Sequence, residues 1–377
     1  MKKLVVGITS EVSCGLIKGQ VRFFAEHGFD VYLMVNAAKQ AEDFCKREKC
    51  TYVPVNIKRE ISVFNDIRTL FQIMSAMHRI KPDIVNVGTP KMGLLGMIAA
   101  FVLRVPVRIY TCRGFRFITS GGFVRKLLVL LEKVSGFCAH EIICISPSLR
   151  DMAIRESIFP ESKCVLINKG SSNGVDLSVF SRSNVNNTSL KEMRAKYAPN
   201  GIFVFGFVGR ISNDKGIREL FEAFKRIYEK NNDLRLLLIG RLEMEQEVSK
   251  KYFEHEGIVY MGSVNKMDLP LYYSLFDVLV LPTYREGFGN VLIEAAALGI
   301  PVISTKVTGV IDAVNDGYNG ILVAPKNVEE LENAMGILYE DKSLRKKYGT
   351  NGLEWVKNFD QSAIWNGLLD LYNQLSK

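Results

Sequence analysis

The sequence predicts an α/β protein of two doubly wound, parallel-sheet, Rossmann-like domains facing a cleft. Three observations carry this expectation. A chain of 377 residues is too long for one ordinary hydrophobic core. Short runs rich in Val and Ile alternate with helix-length segments, and these runs lack strict apolar–polar alternation, so they read as strands covered on both faces. The alternation stops at a polar stretch and then begins again.

In the first half the strand-like runs are Leu4–Ile8, Val31–Val35, Tyr52–Val55, Ile84–Val87, Arg108–Thr111, Ile142–Ile145 and Val165–Asn168. Between them lie the helix-length segments Leu16–His27, Val63–Ile80, Met92–Leu103 and Val124–Gly136. Residues 181–201 open with Ser-Arg-Ser-Asn-Val-Asn-Asn-Thr-Ser, which is polar and turn-prone and reads as a linker. Strands are then expected at Val204–Val208, Leu236–Ile239, Val259–Met261, Val278–Leu281 and Val302–Ile303, with helices at Ile217–Lys230 and Asn290–Leu298. The domains are therefore expected at 1–185 and 186–377. A last helix at about 360–377 is placed to pack back on the first domain.

The formal net charge is +9, unevenly spread. Residues 1–180 hold 25 Lys and Arg against 15 Asp and Glu, whereas residues 181–377 hold 24 against 25. The basic half suggests an anionic partner, or serves only solubility. No interleaved aromatic and basic motif points to nucleic acid, and none is expected as a partner. No run reaches the roughly 18 to 20 apolar residues that cross a bilayer, and the longest, Met92–Leu103, reads as a buried helix. The start, Met1–Ile8, reads as a strand rather than a signal peptide, because Glu11 follows without a small-residue cleavage site. Seven cysteines, none spaced Cys-x-x-Cys, read as reduced thiols of a cytoplasmic protein.

Four motifs lie just after predicted strands, where ligands of open parallel sheets bind. Thr9-Ser10-Glu11-Val12-Ser13-Cys14-Gly15 is rich in small residues and reads as a phosphate or sugar loop, or as a plain turn. Gly209-Arg210-Ile211-Ser212-Asn213-Asp214-Lys215-Gly216 puts two cations before a helix, which suits a diphosphate. Alone, that loop also reads as a solvated turn. Leu281-Pro282-Thr283-Tyr284-Arg285-Glu286-Gly287-Phe288-Gly289-Asn290, running on to Glu294, places one carboxylate in a loop and a second two turns into a helix. An eight-residue offset turns by about 80° on a helix, so both acids can face one site and accept hydroxyl hydrogen bonds. Tyr110-Thr111-Cys112-Arg113-Gly114-Phe115-Arg116-Phe117 carries two further cations. No Gly-x-Gly-x-x-Gly is present, which argues against a dinucleotide enzyme.

Glu286 and Glu294, combined with Arg210 and Lys215 after Gly209, resemble the signature of family-four retaining glycosyltransferases with the GT-B fold, of the bacterial polysaccharide and lipid-linked oligosaccharide type. The resemblance spans nearly the whole chain and takes in Asn173-Gly174-Val175-Asp176, Gly309 and Asn319-Gly320. It implies that Arg210 and Lys215 bind the donor diphosphate and stabilise the leaving group. It further implies that Glu286 bonds hydroxyls of the transferred sugar and that Glu294 holds the ribose. By the same resemblance, Gly287, Phe288, Gly289 and Asn290 contact sugar and phosphate, Val264 lies near the nucleobase, and Gly15 faces the donor from the first domain. Relatives often carry His-Gly-Phe where this chain has Arg113-Gly114-Phe115. An arginine cannot serve as a base near neutral pH, so Arg113, with Arg116, is expected to bind an anionic acceptor group, or to pair with a nearby acid.

There is no Asp-x-Asp, the four histidines are scattered, and no cofactor or metal is expected. The resemblance implies front-face transfer of a hexose or N-acetylhexosamine from a nucleotide sugar, with UDP the nucleotide by family frequency, to a lipid-linked saccharide. A nucleotide-sugar 2-epimerase of the same fold, or a non-catalytic basic module, are the alternatives. Lys58, Arg59, Lys91, Arg113, Arg116, Arg125 and Lys126 suit peripheral attachment to the anionic inner face of the cell membrane, each contributing about 1 kcal/mol. Segment 115–131 reads either as interfacial or as a core helix with a basic outer face.

Overall fold

The computed structural model describes residues 1–58, 62–244 and 252–376; Arg59 lies outside them. The chain divides into two compact units, Met1–Gly174 with Gln361–Lys377, and Val175–Asp360.

The first unit is built on a seven-stranded sheet, β1 (Lys2–Gly7), β2 (Phe29–Asn36), β3 (Thr51–Val55), β4 (Ile84–Gly88), β5 (Val107–Cys112), β6 (Glu141–Cys144) and β7 (Cys164–Leu166). Their order is β3-β2-β1-β4-β5-β6-β7 and every pairing is parallel. All five residues of β4 are buried, as a strand covered on both faces requires. The helices are α1 (Gln20–Glu26), α2 (Lys39–Glu48), α3 (Val63–Ile80), α4 (Pro90–Val102), α5 (Gly122–Cys138) and α6 (Pro147–Arg155). The helix expected from Leu16 starts only at Gln20, because Glu11–Leu16 winds as a 3-10 turn and Gly19 breaks the run at φ 79°. The helix Gln361–Leu375 belongs to this unit. Its Ile364, Leu368 and Tyr372 enter the core, and the Tyr372 hydroxyl accepts from Asn86 Nδ2 at 2.6 Å.

The second unit holds β8 (Phe203–Val208), β9 (Leu234–Ile239), β10 (Ile258–Tyr260), β11 (Val278–Leu281), β12 (Val302–Thr305) and β13 (Gly320–Val323), all parallel, in the order β10-β9-β8-β11-β12-β13. Every residue of β8 is buried. Helix α8 (Ile217–Tyr228) buries Leu220, Phe221, Phe224 and Ile227, the stripe of a surface helix.

Two expectations change here. Residues 187–197 of the expected linker form a helix, α7 (Asn187–Tyr197), capped by Asn186 Oδ1 accepting from Ser189 N at 3.0 Å. It buries no residue, so no apolar periodicity marked it. The unit boundary also falls before 185, because Val175 N donates to Phe359 O and Val175 bridges to Asp360, holding 175–185 in the second unit.

Candidate active site

A parallel sheet opens a crevice where neighbouring strands send their connections in opposite directions. In the second unit that point lies between β8 and β11. Loop 209–216 leaves β8 and loop 282–289 leaves β11, so the two meet at the carboxyl end of the sheet. They join through backbone: Tyr284 N and Thr283 Oγ1 donate to Asp214 O at 2.9 and 3.2 Å. Gly216 sits at φ 67°, and a Cβ there would run into Pro282 O. Behind the second loop, Gly309 at φ 83° lets the chain pass Gly287, whose carbonyl carbon and oxygen would lie 2.5 Å from a Cβ.

Side chains of both loops then converge. Lys215 Nζ donates to Glu286 Oε1, the two side chains being 13% and 19% exposed. Arg210 donates from Nη1 to Glu243 Oε2 at 2.6 Å and from Nη2 to Asp214 Oδ2 at 2.9 Å. Arg285 Nη2 reaches the same Asp214 oxygen at 3.5 Å, and Arg241 pairs with Glu243. Partial burial pushes the Asp214 carboxyl up, but Ser212 Oγ at 2.5 Å, Arg210 and Lys215 outweigh it and hold the group below the usual carboxylate range. Glu243 is likewise held low by Arg210 and Arg241 against its own desolvation.

Helix Asn290–Ala297 starts from Gly289 at φ 91°, with Phe288 and Gly289 buried and Gly287 and Asn290 half-buried at its mouth. Glu294 lies on its inner face, 6% exposed. Tyr273 Oη donates to its Oε2 at 3.1 Å and Lys266 Nζ lies 3.5 Å from its Oε1. Burial raises the Glu294 carboxyl; Lys266 and Tyr273 counter this in part. Val264, half-buried, is on the same loop as Lys266, after β10. The site thus joins Gly209, Arg210, Lys215, Glu286, Gly287, Phe288, Gly289 and Asn290 at one crevice, with Glu294 two turns further in.

The other candidates belong to the first unit. Gly15 is exposed on the 3-10 turn after β1, with open space around its Cβ position. Arg116 is exposed. Arg113 donates from Nε to Ser172 Oγ at 2.7 Å, while its Nη1 is buried with no hydrogen-bond partner. No carboxylate pairs with Arg113 among the described residues, and burial pushes its guanidinium down to about 10. Lys91 drops out of the membrane-facing set, and at Phe115 and Phe117 the core reading of segment 115–131 holds rather than the interfacial one. Lys91 is 12% exposed and paired to Asp66 at 2.7 Å. Phe115 and Phe117 are buried and stacked at 4.8 Å.

Sequence reasoning missed Asp214, Arg285, Glu243, Tyr273 and Lys266. The first two stood inside the quoted motifs, beside Lys215 and Glu286. The other three had no local signal, since only folding brings them to Arg210 and Glu294.

Two Rossmann-like sheets, one with acidic and basic loops meeting at its switch point, are the parts of a GT-B fold. Residues 8–146 match the family described as glycosyl transferase 4-like, and residues 190–355 match glycosyl transferases group 1. The capsular polysaccharide biosynthesis glycosyltransferase CapM of Staphylococcus aureus is 39% identical over 98% of this chain and 96% of its own. The UDP-Gal:alpha-D-GlcNAc-diphosphoundecaprenol alpha-1,3-galactosyltransferase of Escherichia coli is 28% identical over 88% and 87%. The solved structure of HepE from Anabaena, in complex with UDP, superposes with a TM-score of 0.80 at 18% identity, covering 99% of this chain and all of that one. The chain belongs to the bacterial GT-B glycosyltransferases of family 4.

Proposed function

We propose that this glycosyltransferase moves a hexose or N-acetylhexosamine from a UDP-sugar to a lipid-linked saccharide with retention at the anomeric carbon. The observation that carries the reading is the meeting of Arg210 and Lys215 with Glu286 at one switch point. Departure of UDP builds negative charge on its β-phosphate. Fixed cations beside that group stabilise the transition state without reorganising, and no metal or cofactor is proposed for this role. In this reading Lys215 exchanges its contact with Glu286 for phosphate, which frees the Glu286 carboxylate to accept sugar hydroxyls. Glu294, aimed by Tyr273, accepts the ribose hydroxyls. The donor's phosphate oxygen takes the proton of the acceptor hydroxyl on the same face from which UDP leaves.

The Escherichia coli relative, named for alpha-D-GlcNAc-diphosphoundecaprenol, supports a lipid-linked acceptor. Arg113 and Arg116 then meet its anionic group; the absence of a carboxylate partner for Arg113 among the described residues supports this. A peripheral position on an anionic membrane is supported by the outer layer of the first unit. There α3 packs on α4 and α4 on α5. Among the described residues every exposed phenylalanine lies on these helices, Phe64 (90% exposed), Phe71, Phe101, Phe123 (79%) and Phe137. Arg68, Arg79, Lys126 and Lys133 lie exposed beside them. No described helix is long and apolar enough to cross a membrane.

The test is incubation with UDP-sugars and an undecaprenyl-diphosphate-linked sugar, following UDP release and the anomeric proton of the product by NMR, with and without EDTA. Transfer with retained configuration and no loss to EDTA is expected. An inverted product, or full dependence on a divalent ion, overturns the mechanism. Flotation with phosphatidylglycerol vesicles, lost in a Phe64→Ser/Phe123→Ser variant, checks the membrane position.

A further inference from the structure

Asp214-Lys215 on one loop faces Arg285-Glu286 on the other, and the pairs cross: Lys215 with Glu286, Asp214 with Arg285. Among the described residues the charges in this cluster do not balance. Lys215 and Glu286 cancel each other. The remaining network has three guanidinium groups, Arg210, Arg241 and Arg285, on two carboxylates, Asp214 and Glu243. One Asp214 oxygen serves both Arg210, at 2.9 Å, and Arg285, at 3.5 Å, while the other accepts from Ser212 Oγ. Arg285 has the longest of these contacts, and no other ion-pair partner among the described residues. Its side chain is 28% exposed, so a charge-assisted bond to it is only partly screened by water. Its backbone is fixed: Thr283 Oγ1 donates to Arg285 O at 2.9 Å, and the next loop residue back, Tyr284, is tied to Asp214 O. The guanidinium is therefore a held, under-compensated cation one residue from Glu286.

We propose that Arg285 is a third phosphate-binding cation of the donor site, and that Asp214 is the positioning residue that sets it beside Arg210. The inference rests on the reading that loops 209–216 and 282–289 bind a nucleoside diphosphate. A diphosphate entering there meets Arg210, Lys215 and Arg285 from two loops, and its charge completes the balance that two carboxylates leave short.

The experiment measures calorimetric binding of UDP and of uridine to the full chain, wild type, Arg285→Gln and Asp214→Asn. Uridine lacks phosphates, so it reports only the integrity of the base and ribose pocket. Arg285→Gln is expected to weaken UDP about tenfold, to flatten its salt dependence and to leave uridine unchanged. Asp214→Asn is expected to weaken UDP as well, with the double variant losing less than the product of the single effects. Equal losses for UDP and uridine, or an unchanged UDP affinity, overturn the proposal. Arg285→Lys, which keeps the charge and the fold, is expected to retain more UDP affinity than Arg285→Gln, and the reverse order counts against a phosphate contact. If the wild-type chain binds GDP instead, GDP and guanosine replace the pair. Binding of no nucleoside diphosphate by the wild type overturns the donor reading itself, and this one with it.

Discussion

Lys215 and Glu286, 71 positions apart in the chain, close an ion pair at the carboxyl ends of two adjacent parallel strands. In the proposed reading Lys215 serves phosphate and Glu286 serves sugar hydroxyls, each neutralising the other until a ligand separates them. Neither side chain is fully buried, so removing one partner is expected to cost the fold less than it costs the proposed chemistry.

Lys215→Ala is accordingly expected to lower donor turnover more than tenfold with only a small shift in melting temperature (about 2 °C or less). Initial rates at saturating donor are the measurement. Rates equal to wild type would remove Lys215 from leaving-group stabilisation.

Glu294 differs because it is buried. Its carboxyl titrates above the ordinary glutamate range through desolvation, with Lys266 and Tyr273 pulling the other way. In the proposed reading the ionised form accepts ribose hydroxyls, so donor affinity should fall as the pH drops through that raised value. Glu294→Gln should weaken UDP at neutral pH and flatten this dependence. A titration of UDP affinity across pH 5 to 8 checks it, and an identical pH slope in both proteins would count against the ribose contact.

At Gly216 the constraint is steric as well as conformational. A Cβ would collide with Pro282 O, and φ 67° disfavours any other residue. Gly216→Ala is expected to destabilise the second unit by about 2 kcal/mol or more, and to uncouple the two loops. Gly15→Ala is the control, since nothing surrounds its Cβ position. Urea melts of both variants separate the cases, and a fully stable Gly216→Ala would show that the loops do not touch as described.

Glu132 of α5 is 8% exposed, and Tyr110 Oη donates to its Oε2 at 2.8 Å. Burial raises its carboxyl from 4.5 to about 7. The native state therefore keeps a proton that the unfolded chain loses between pH 4.5 and 7, so stability declines over that window and is lowest above it. Glu132→Gln removes the penalty. At pH 8 it should stabilise by up to ~3 kcal/mol, with the gain vanishing near pH 4.5. Chemical denaturation at several pH values reads this directly, and a gain that grows toward acid pH would reverse the assignment.

The reading from sequence reached furthest where chemistry is local. Buried parallel strands such as β8 announce themselves as unbroken apolar runs, because both faces are covered. Arg210, Lys215, Glu286 and Glu294 could be named because each sits at a strand end or in a helix that follows it. The reading stopped where no apolar face existed, as in α7, and it passed over β13. It also left segment 115–131 open between an interface and the core, and only folding put the stacked rings of Phe115 and Phe117 inside.

Residue order alone thus decided the class of fold, the two carrier loops and the types of side chain they hold. Folding decided the partnerships. Whether Arg210 is neutralised by Glu243, whether Asp214 serves one arginine or two, and whether Glu294 is aimed by Tyr273 all depend on which strands lie side by side. Strand order follows from long-range packing across the whole sheet, and nothing in a local run of residues carries it.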